Sequence, residues 1–402
     1  MKSILRYILF VILLYSFSFN VYAKDKMRIV PGAESTEEYF PLLKGKKIAI
    51  VANHTAILGH QHLVDSLKNS GFNIKCVFAP EHGFRGESGA GDKIANGKDA
   101  NTGIHIISLY GKHLKPTAKD LKGVDVVVFD IQDVGVRFYT YISTLQYVME
   151  ACAELNIRLI VLDRPNPNGF YVDGPVLKKE FTSFVGMQPV PVVYGMTIGE
   201  YAMMLNGEGW LAKNAKCNLK VIQLINYDHS KKPVIRIPPS PNLPDMDAIY
   251  LYPSICLFEG THVSLGRGTS APFRLVGFPG YKGEKGERDT SFTPKNIRGV
   301  ATNPPYSDSL CTGINLIGKG YEAPKRAEMD LSLLSLMYQR FPDKSKFFNN
   351  FFNKLAGNSE LQEQIKSGLS PEQIKATWKQ DLDTFKMIRK KYLLYPDATD
   401  LR

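Results

Sequence analysis

From Lys46 to Leu162 the chain alternates short, nearly unbroken apolar runs with stretches whose apolar residues recur at helical spacing. The runs are Lys46 to Ala52, Ile74 to Ala79, Ile104 to Leu109, Val124 to Phe129 and Ile157 to Leu162. Between them, His62 to Asn69 reads as helix closed by Gly71, and Tyr141 to Leu155 carries Leu145, Val148, Met149 and Cys152 on one face. Apolar strands separated by helices predict a parallel sheet covered on both faces. Crossovers then gather the strand C-terminal ends along one edge, where open α/β sheets carry their sites. Thr197 to Leu205 adds a helix whose Thr197 and Glu200 form a capping box, and Leu219 to Leu224 a last strand.

The pattern then changes. Pro233, Pro238, Pro239, Pro241 and Pro244 rule out a helix or a central strand, and their stiff backbone suits a fixed cleft wall. The expected division is therefore a leader at 1–23, a Rossmann-like N-terminal domain at 24–232 and a smaller α+β C-terminal domain at 233–402. In the second half, Leu331 to Gln339 and Pro371 to Tyr392 read as helices, and Leu265-Gly266-Arg267-Gly268-Thr269 as a turn-rich loop.

The beginning of the chain alters the expected address. Lys2 and Arg6 precede the apolar run Tyr7 to Phe19, and Val21 and Ala23 stand three and one places before a cut after Ala23. That layout predicts a secretory signal peptide, since the apolar run falls short of the roughly 20 residues that span a bilayer. Export follows, to the periplasm rather than the medium, with no stable membrane insertion after cleavage. A hydrophobic content of 44% supports a folded core rather than disorder. The net charge of +11 favours anionic partners, but scattered Lys and Arg without interleaved aromatics do not describe a nucleic-acid surface. Five widely separated cysteines make neither a disulfide framework nor a CxxC metal motif, and Cys76 and Cys152 read as small buried hydrophobes.

Chemistry concentrates at the strand exits. Pro80-Glu81-His82-Gly83-Phe84-Arg85-Gly86 sets a carboxylate, an imidazole and a guanidinium beside glycines. Phe78 and Phe84 suit a carboxyl that has to hold a proton, making Glu81 a candidate general acid and His82 its orienter or a ligand contact. Asp130 and Asp133 follow the fourth strand and Asp163-Arg164 the fifth; Asn53 and His54 at the first exit suit a hydroxylated ligand. Asp173 makes a turn that faces the same edge. Glu259 with His262, Arg267 and Thr269 is the second domain's cluster, and two carboxylates facing a sugar suit glycosidic hydrolysis. Helix caps and salt-bridged turns account for several of these residues equally well. No GxGxxG or GxxxxGK[ST] points to a nucleotide, no HExxH or compact His/Cys set to a metal, and no GxSxG to a serine nucleophile. His60 and His62 fit a solvated helix start.

Taken together, Asn53-His54-Thr55, the Glu81 stretch, Phe129 to Arg137, Leu162-Asp163-Arg164-Pro165-Asn166-Pro167 and Gly266-Arg267-Gly268-Thr269 resemble the bacterial exo-β-N-acetylmuramidase family across the mature chain. The resemblance implies a Rossmann-like domain and a smaller C-terminal domain with the site in the cleft between them. It also implies release of N-acetylmuramic acid from the non-reducing end of peptidoglycan fragments or muramic-acid-containing disaccharides, without a cofactor. Under it Glu81 is the catalytic glutamate, with Asp130, Asp173 and Glu259 open as a second carboxylate. The substrate's lactyl carboxylate demands a cation, for which Arg267, Arg137 and Arg85 are ranked in that order. Tyr139 is an expected sugar-face aromatic, and Asn53 and His54 expected contacts to hydroxyls or the acetamido group. A metal- or serine-dependent wall amidase or esterase and a non-catalytic wall-binding protein are the alternatives.

Overall fold

The computed structural model describes residues 28–86, 96–284 and 289–398, so the leader expected at 1–23 lies outside them. The main sheet takes β1 (Lys47–Ala52), β2 (Asn73–Ala79), β3 (Gly97–Lys98), β4 (His105–Ser108), β5 (Val126–Asp130), β6 (Arg158–Leu162) and β7 (Leu219–Ile222). Its order is β3-β4-β2-β1-β5-β6-β7, parallel throughout except for the short edge strand β3. The chain winds outward from β1 through β2 to β4, then returns to the other side of β1 as β5. That reversal is the winding of a Rossmann fold, and it opens a crevice beyond the ends of β1 and β5.

Side chains alternate across β1. Ile48, Ile50 and Ala52 pack with α1 (Thr36–Leu43) and α2 (Leu63–Asn69) on one face. Ala49 and Val51 pack with α3 (Tyr141–Glu154) and α4 (Ile198–Gly207) on the other. Burial on both faces is why the strands read as continuous apolar runs. The capping box predicted at Thr197 and Glu200 is formed at the start of α4, an arrangement worth about 0.5–2 kcal/mol.

After the proline-rich stretch, Asp245 caps α5 (Met246–Ile255) by accepting from Ala248 N–H. This helix was not anticipated, because Pro253 lies within it. The C-terminal domain continues as a three-stranded antiparallel sheet, β8 (Leu275–Phe278), β9 (Asp289–Phe292) and β10 (Cys311–Asn315), in the order β8-β10-β9. Helices follow, among them α6 (Ser332–Arg340). The single long helix expected at 371–392 is instead two, Pro371–Ala376 and α7 (Lys379–Lys390). At the break the Thr377 hydroxyl donates to the Ile374 carbonyl, one of the last of the first helix.

One apolar cluster runs from Ile142 and Leu145 of α3 through Tyr252 to Phe273, Phe347 and Phe352, so the two domains share a core. The chain end then returns to the first domain: Arg389 donates to the Gly195 carbonyl and Tyr395 to the Asp163 carboxylate. All five cysteines are free and buried. His62 is buried rather than solvated. Its Nδ1 accepts from Val64 N–H, and its Nε2 lies 2.8 Å from the Asn53 carbonyl.

Candidate active site

The turn after β2 is tight. Gly83 N–H donates to the Pro80 carbonyl, and His82 and Gly83 both take positive φ, at 70° and 80°. For His82 that conformation carries backbone strain, which clusters at functional sites. The turn presents Glu81 to two hydroxyls. Tyr110, just beyond β4, donates to Oε1, and Thr140, at the N-terminus of α3, donates to Oε2, each at 2.8 Å. A hydroxyl both donates and accepts, so this cradle can hold the carboxyl ionised or protonated. Phe78 and Phe84, expected to surround it, belong instead to the apolar clusters on opposite faces of the sheet.

Glu81 opens into a cavity of ≈ 360 Å³. His82 and Tyr110 line it from the strand exits, as do Phe138 to Thr140. Ser240, Asn242 and Leu243 of the proline-rich segment make a wall, and Glu259, Arg267, Phe273 and Phe351 close it from the C-terminal domain. Residues from both halves of the chain thus line one cavity, and the proline-rich segment supplies part of its wall. Tyr139, the expected aromatic, is among the lining residues and edge-on to Tyr141 and Tyr252.

Across the cavity, Nε and Nη2 of Arg267 both bond Oε1 of Glu259, and the guanidinium also lies over the Phe273 ring. Burial works against the charge of Arg267, but the Glu259 carboxylate holds its pKa above the ordinary arginine value. Asn242 was not singled out from the sequence. Its Nδ2 donates to the Val300 carbonyl, while its buried Oδ1 has no hydrogen-bond partner among the described residues.

Several expected site residues have other work. Asn53 is wholly buried; its Oδ1 accepts from Thr55 and its Nδ2 donates to the Tyr141 hydroxyl. His54 turns to the Pro238 carbonyl at 2.7 Å, and burial lowers its pKa. Asp130 forms a two-pronged, buried ion pair with Arg164, because the sheet order sets β6 beside β5. This leaves Asp130 outside the cavity and unsuited to act as a second catalytic carboxylate. Arg85 bridges Asp65 and Asp99; burial opposes its charge, but those partners hold its pKa above the usual range.

Arg137 is fully buried and donates to the carbonyls of Pro175, Val190, Leu355 and Ala356, each at 2.8 Å. It ties the domains together and offers no face to a lactyl group. Burial pulls its pKa down to about 9, which leaves it charged at neutral pH. Asp163 accepts from Thr197, Tyr395 and Gly199 in the interior, where burial pushes its pKa up to about 7. Asp173 accepts from Gly174 and Met329 N–H, a domain contact rather than a substrate one, and burial raises its pKa. Thr269 bonds the Gly266 carbonyl and shapes the loop that carries Arg267. His262 turns to the Lys346 carbonyl.

A Rossmann-like sheet that offers a hydroxyl-held carboxyl to a small pocket, closed by an Arg–Glu pair from the second half of the chain, defines a two-domain α/β protein with a carboxylate-bearing cavity. A family model described as exo-beta-N-acetylmuramidase NamZ, N-terminal, matches residues 48–247, and its C-terminal counterpart matches residues 250–395. The chain belongs to the exo-β-N-acetylmuramidase NamZ family. It is 38% identical over 381 residues to the peptidoglycan beta-N-acetylmuramidase NamZ of Bacillus subtilis (strain 168), covering 89% of each chain. Two crystal structures of DUF1343 family proteins from Bacteroides fragilis NCTC 9343 are similar in fold. One has a TM-score of 0.85 at 46% identity and the other 0.78 at 30%, each similarity covering 92% of this chain and 99% of the other.

Proposed function

We infer that this protein is an exo-acting glycoside hydrolase that releases N-acetylmuramic acid from the non-reducing end of peptidoglycan fragments. Family membership along nearly the whole described chain supports the activity. The observation that carries the chemical reading is the Glu81 carboxyl, gripped at both oxygens by Tyr110 and Thr140 at the mouth of a pocket large enough for one substituted sugar.

In this reading Glu81 is the general acid. It gives its proton to the glycosidic oxygen as the C1–O bond breaks, while the alcohol of the next sugar leaves. The acetamido oxygen of the substrate attacks C1 from the opposite face, and water later opens that ring, returning a proton to Glu81. Such participation needs no protein nucleophile, which suits a site whose other carboxylate, Glu259, is already committed to Arg267. The Arg267 bonds to Glu259 use Nε and Nη2, leaving Nη1 for the lactyl carboxylate.

The positive start of the chain, its apolar run and the small residues Val21 and Ala23 before the expected cut support export to the compartment that holds the polymer. The deciding experiment compares wild type with Glu81→Gln on a muramyl-glucosamine disaccharide. Release of free muramic acid by wild type and its near-complete loss in the variant are expected. Equal rates would remove Glu81 from its role, and no release by wild type would sink the activity itself.

A further inference from the structure

A second cavity, of ≈ 460 Å³, lies at the exits of β1, β5 and β6, lined there by Thr55, Gln132 and Arg164 and closed by residues 232–237. It occupies the crevice where the winding of the sheet reverses between β1 and β5, the position at which open α/β sheets bind ligands. None of its lining residues lines the pocket at Glu81.

Its chemistry is that of an anion site with apolar walls. Arg164 is only 7% exposed. Its Nε and Nη2 are taken by Asp130 and the Ile57 carbonyl, while Nη1 has no hydrogen-bond partner among the described residues. Lys232 and Arg236 add exposed positive charge at the rim, whereas Glu34, the one carboxylate of the lining among the described residues, is turned to Arg28. Ile57, Pro165 and Ile235 supply apolar surface. The loop after β1 has no glycine-rich phosphate cradle, which argues against a dinucleotide.

We propose that this cavity is a second ligand site for a small carboxylate-bearing sugar acid, of the same chemical class as the muramic acid released at Glu81. This identification of the ligand rests on the muramidase reading; the preference of the site for an anion does not. The two sites are physically joined. Gln132 N–H donates to the Thr55 hydroxyl, which donates to Asn53 Oδ1, and Asn53 Nδ2 donates to the Tyr141 hydroxyl. That hydroxyl lies 3.5 Å from the carbonyl of Glu81, which lines the first pocket, and 3.4 Å from the Pro239 carbonyl.

The test titrates N-acetylmuramic acid calorimetrically into the full chain carrying Glu81→Gln, which keeps the first pocket without turnover. Two binding events are expected. The second weakens by about tenfold or more when Lys232→Ala and Arg236→Ala are added, and it is missing with N-acetylglucosamine, which has no lactyl carboxylate. A single event, or two events indifferent to those truncations, would overturn the site. Displacement of the second event by inorganic phosphate as readily as by muramic acid would overturn its assignment to a sugar acid. Turnover of the disaccharide by wild type is measured in parallel. Without turnover it is the muramidase reading that fails; with turnover and one binding event, only the second site fails.

Discussion

The Tyr110 hydroxyl donates to one oxygen of the Glu81 carboxylate at 2.8 Å, and it comes from the loop after β4, a neighbour of β2 in the sheet but distant from it in the chain. The relationship fixes the carboxyl's orientation toward the cavity. Glu81→Gln keeps the shape and loses the transferable proton, so kcat is expected to fall by about 10²–10⁴, the usual contribution of a general acid. Tyr110→Phe keeps the ring and loses one bond to a charged group, worth about 1.5–3 kcal/mol. It should lower kcat by roughly ten- to a hundredfold with little change in KM. Steady-state kinetics on the muramyl disaccharide decides both, and a Tyr110→Phe enzyme with unaltered kcat would count against the cradle.

Arg137 makes a prediction of the opposite kind. Its four carbonyl acceptors lie on both domains, and Gly357 approaches the guanidinium so closely that an added Cβ would sit 2.7 Å from Nη2. Arg137→Met should leave those carbonyls without donors and destabilise the fold by about 3–5 kcal/mol, as for a broken buried charged interaction. Urea unfolding measures it. A variant of normal stability with raised KM would instead return Arg137 to substrate binding.

The strand-exit argument selected Glu81 and His82, which line the cavity, because an apolar run that stops at a polar, glycine-rich turn is visible in one dimension. The same argument also selected Asn53, Asp130 and Asp163, which the structure uses to tie neighbouring loops. What separates the two groups is sheet order. Arg164 neutralises Asp130 only because β6 lies beside β5, and Tyr395 reaches Asp163 only because the chain end folds back. Tyr110, Thr140 and Asn242 were missed for a related reason: they are common residue types whose meaning comes from the partner across the fold. The parallel sheet was legible through its doubly buried strands. α5 was not, since Pro253 masks its helical pattern.

Two interior carboxyls set an expectation for stability against pH. Burial pushes Asp163 up to about 7 and Asp133 up to about 6, both from an ordinary value of 3.8. In the folded protein these groups therefore keep their protons over a range in which the unfolded chain has lost them. Their contribution is fully present below about pH 4 and is lost as the pH rises through 6 and 7. Asp163→Asn removes the titration together with an acceptor for Thr197, Tyr395 or Gly199. The variant should be less stable at pH 5, and the gap to wild type should narrow by pH 8. Thermal melts at the two pH values test this; a gap that widens with pH would refute the assignment.

The Arg267–Glu259 pair offers the sharpest separation of binding from chemistry. If Arg267 receives the lactyl carboxylate, Arg267→Ala removes a charge-assisted contact and leaves Glu259 without its cation. KM for muramic substrates should rise by about ten- to a hundredfold, in line with the roughly 1.5–3 kcal/mol of a hydrogen bond to a charged group. Arg267→Lys supplies the charge without the planar fork and should recover only part of that loss. Glu259→Gln tests the other half of the pair. It frees the guanidinium for the substrate, so KM should fall or hold while kcat remains, provided that the acetamido group rather than Glu259 attacks C1. A collapse of kcat in Glu259→Gln to the level of Glu81→Gln would make Glu259 a catalytic partner and remove the need for substrate participation.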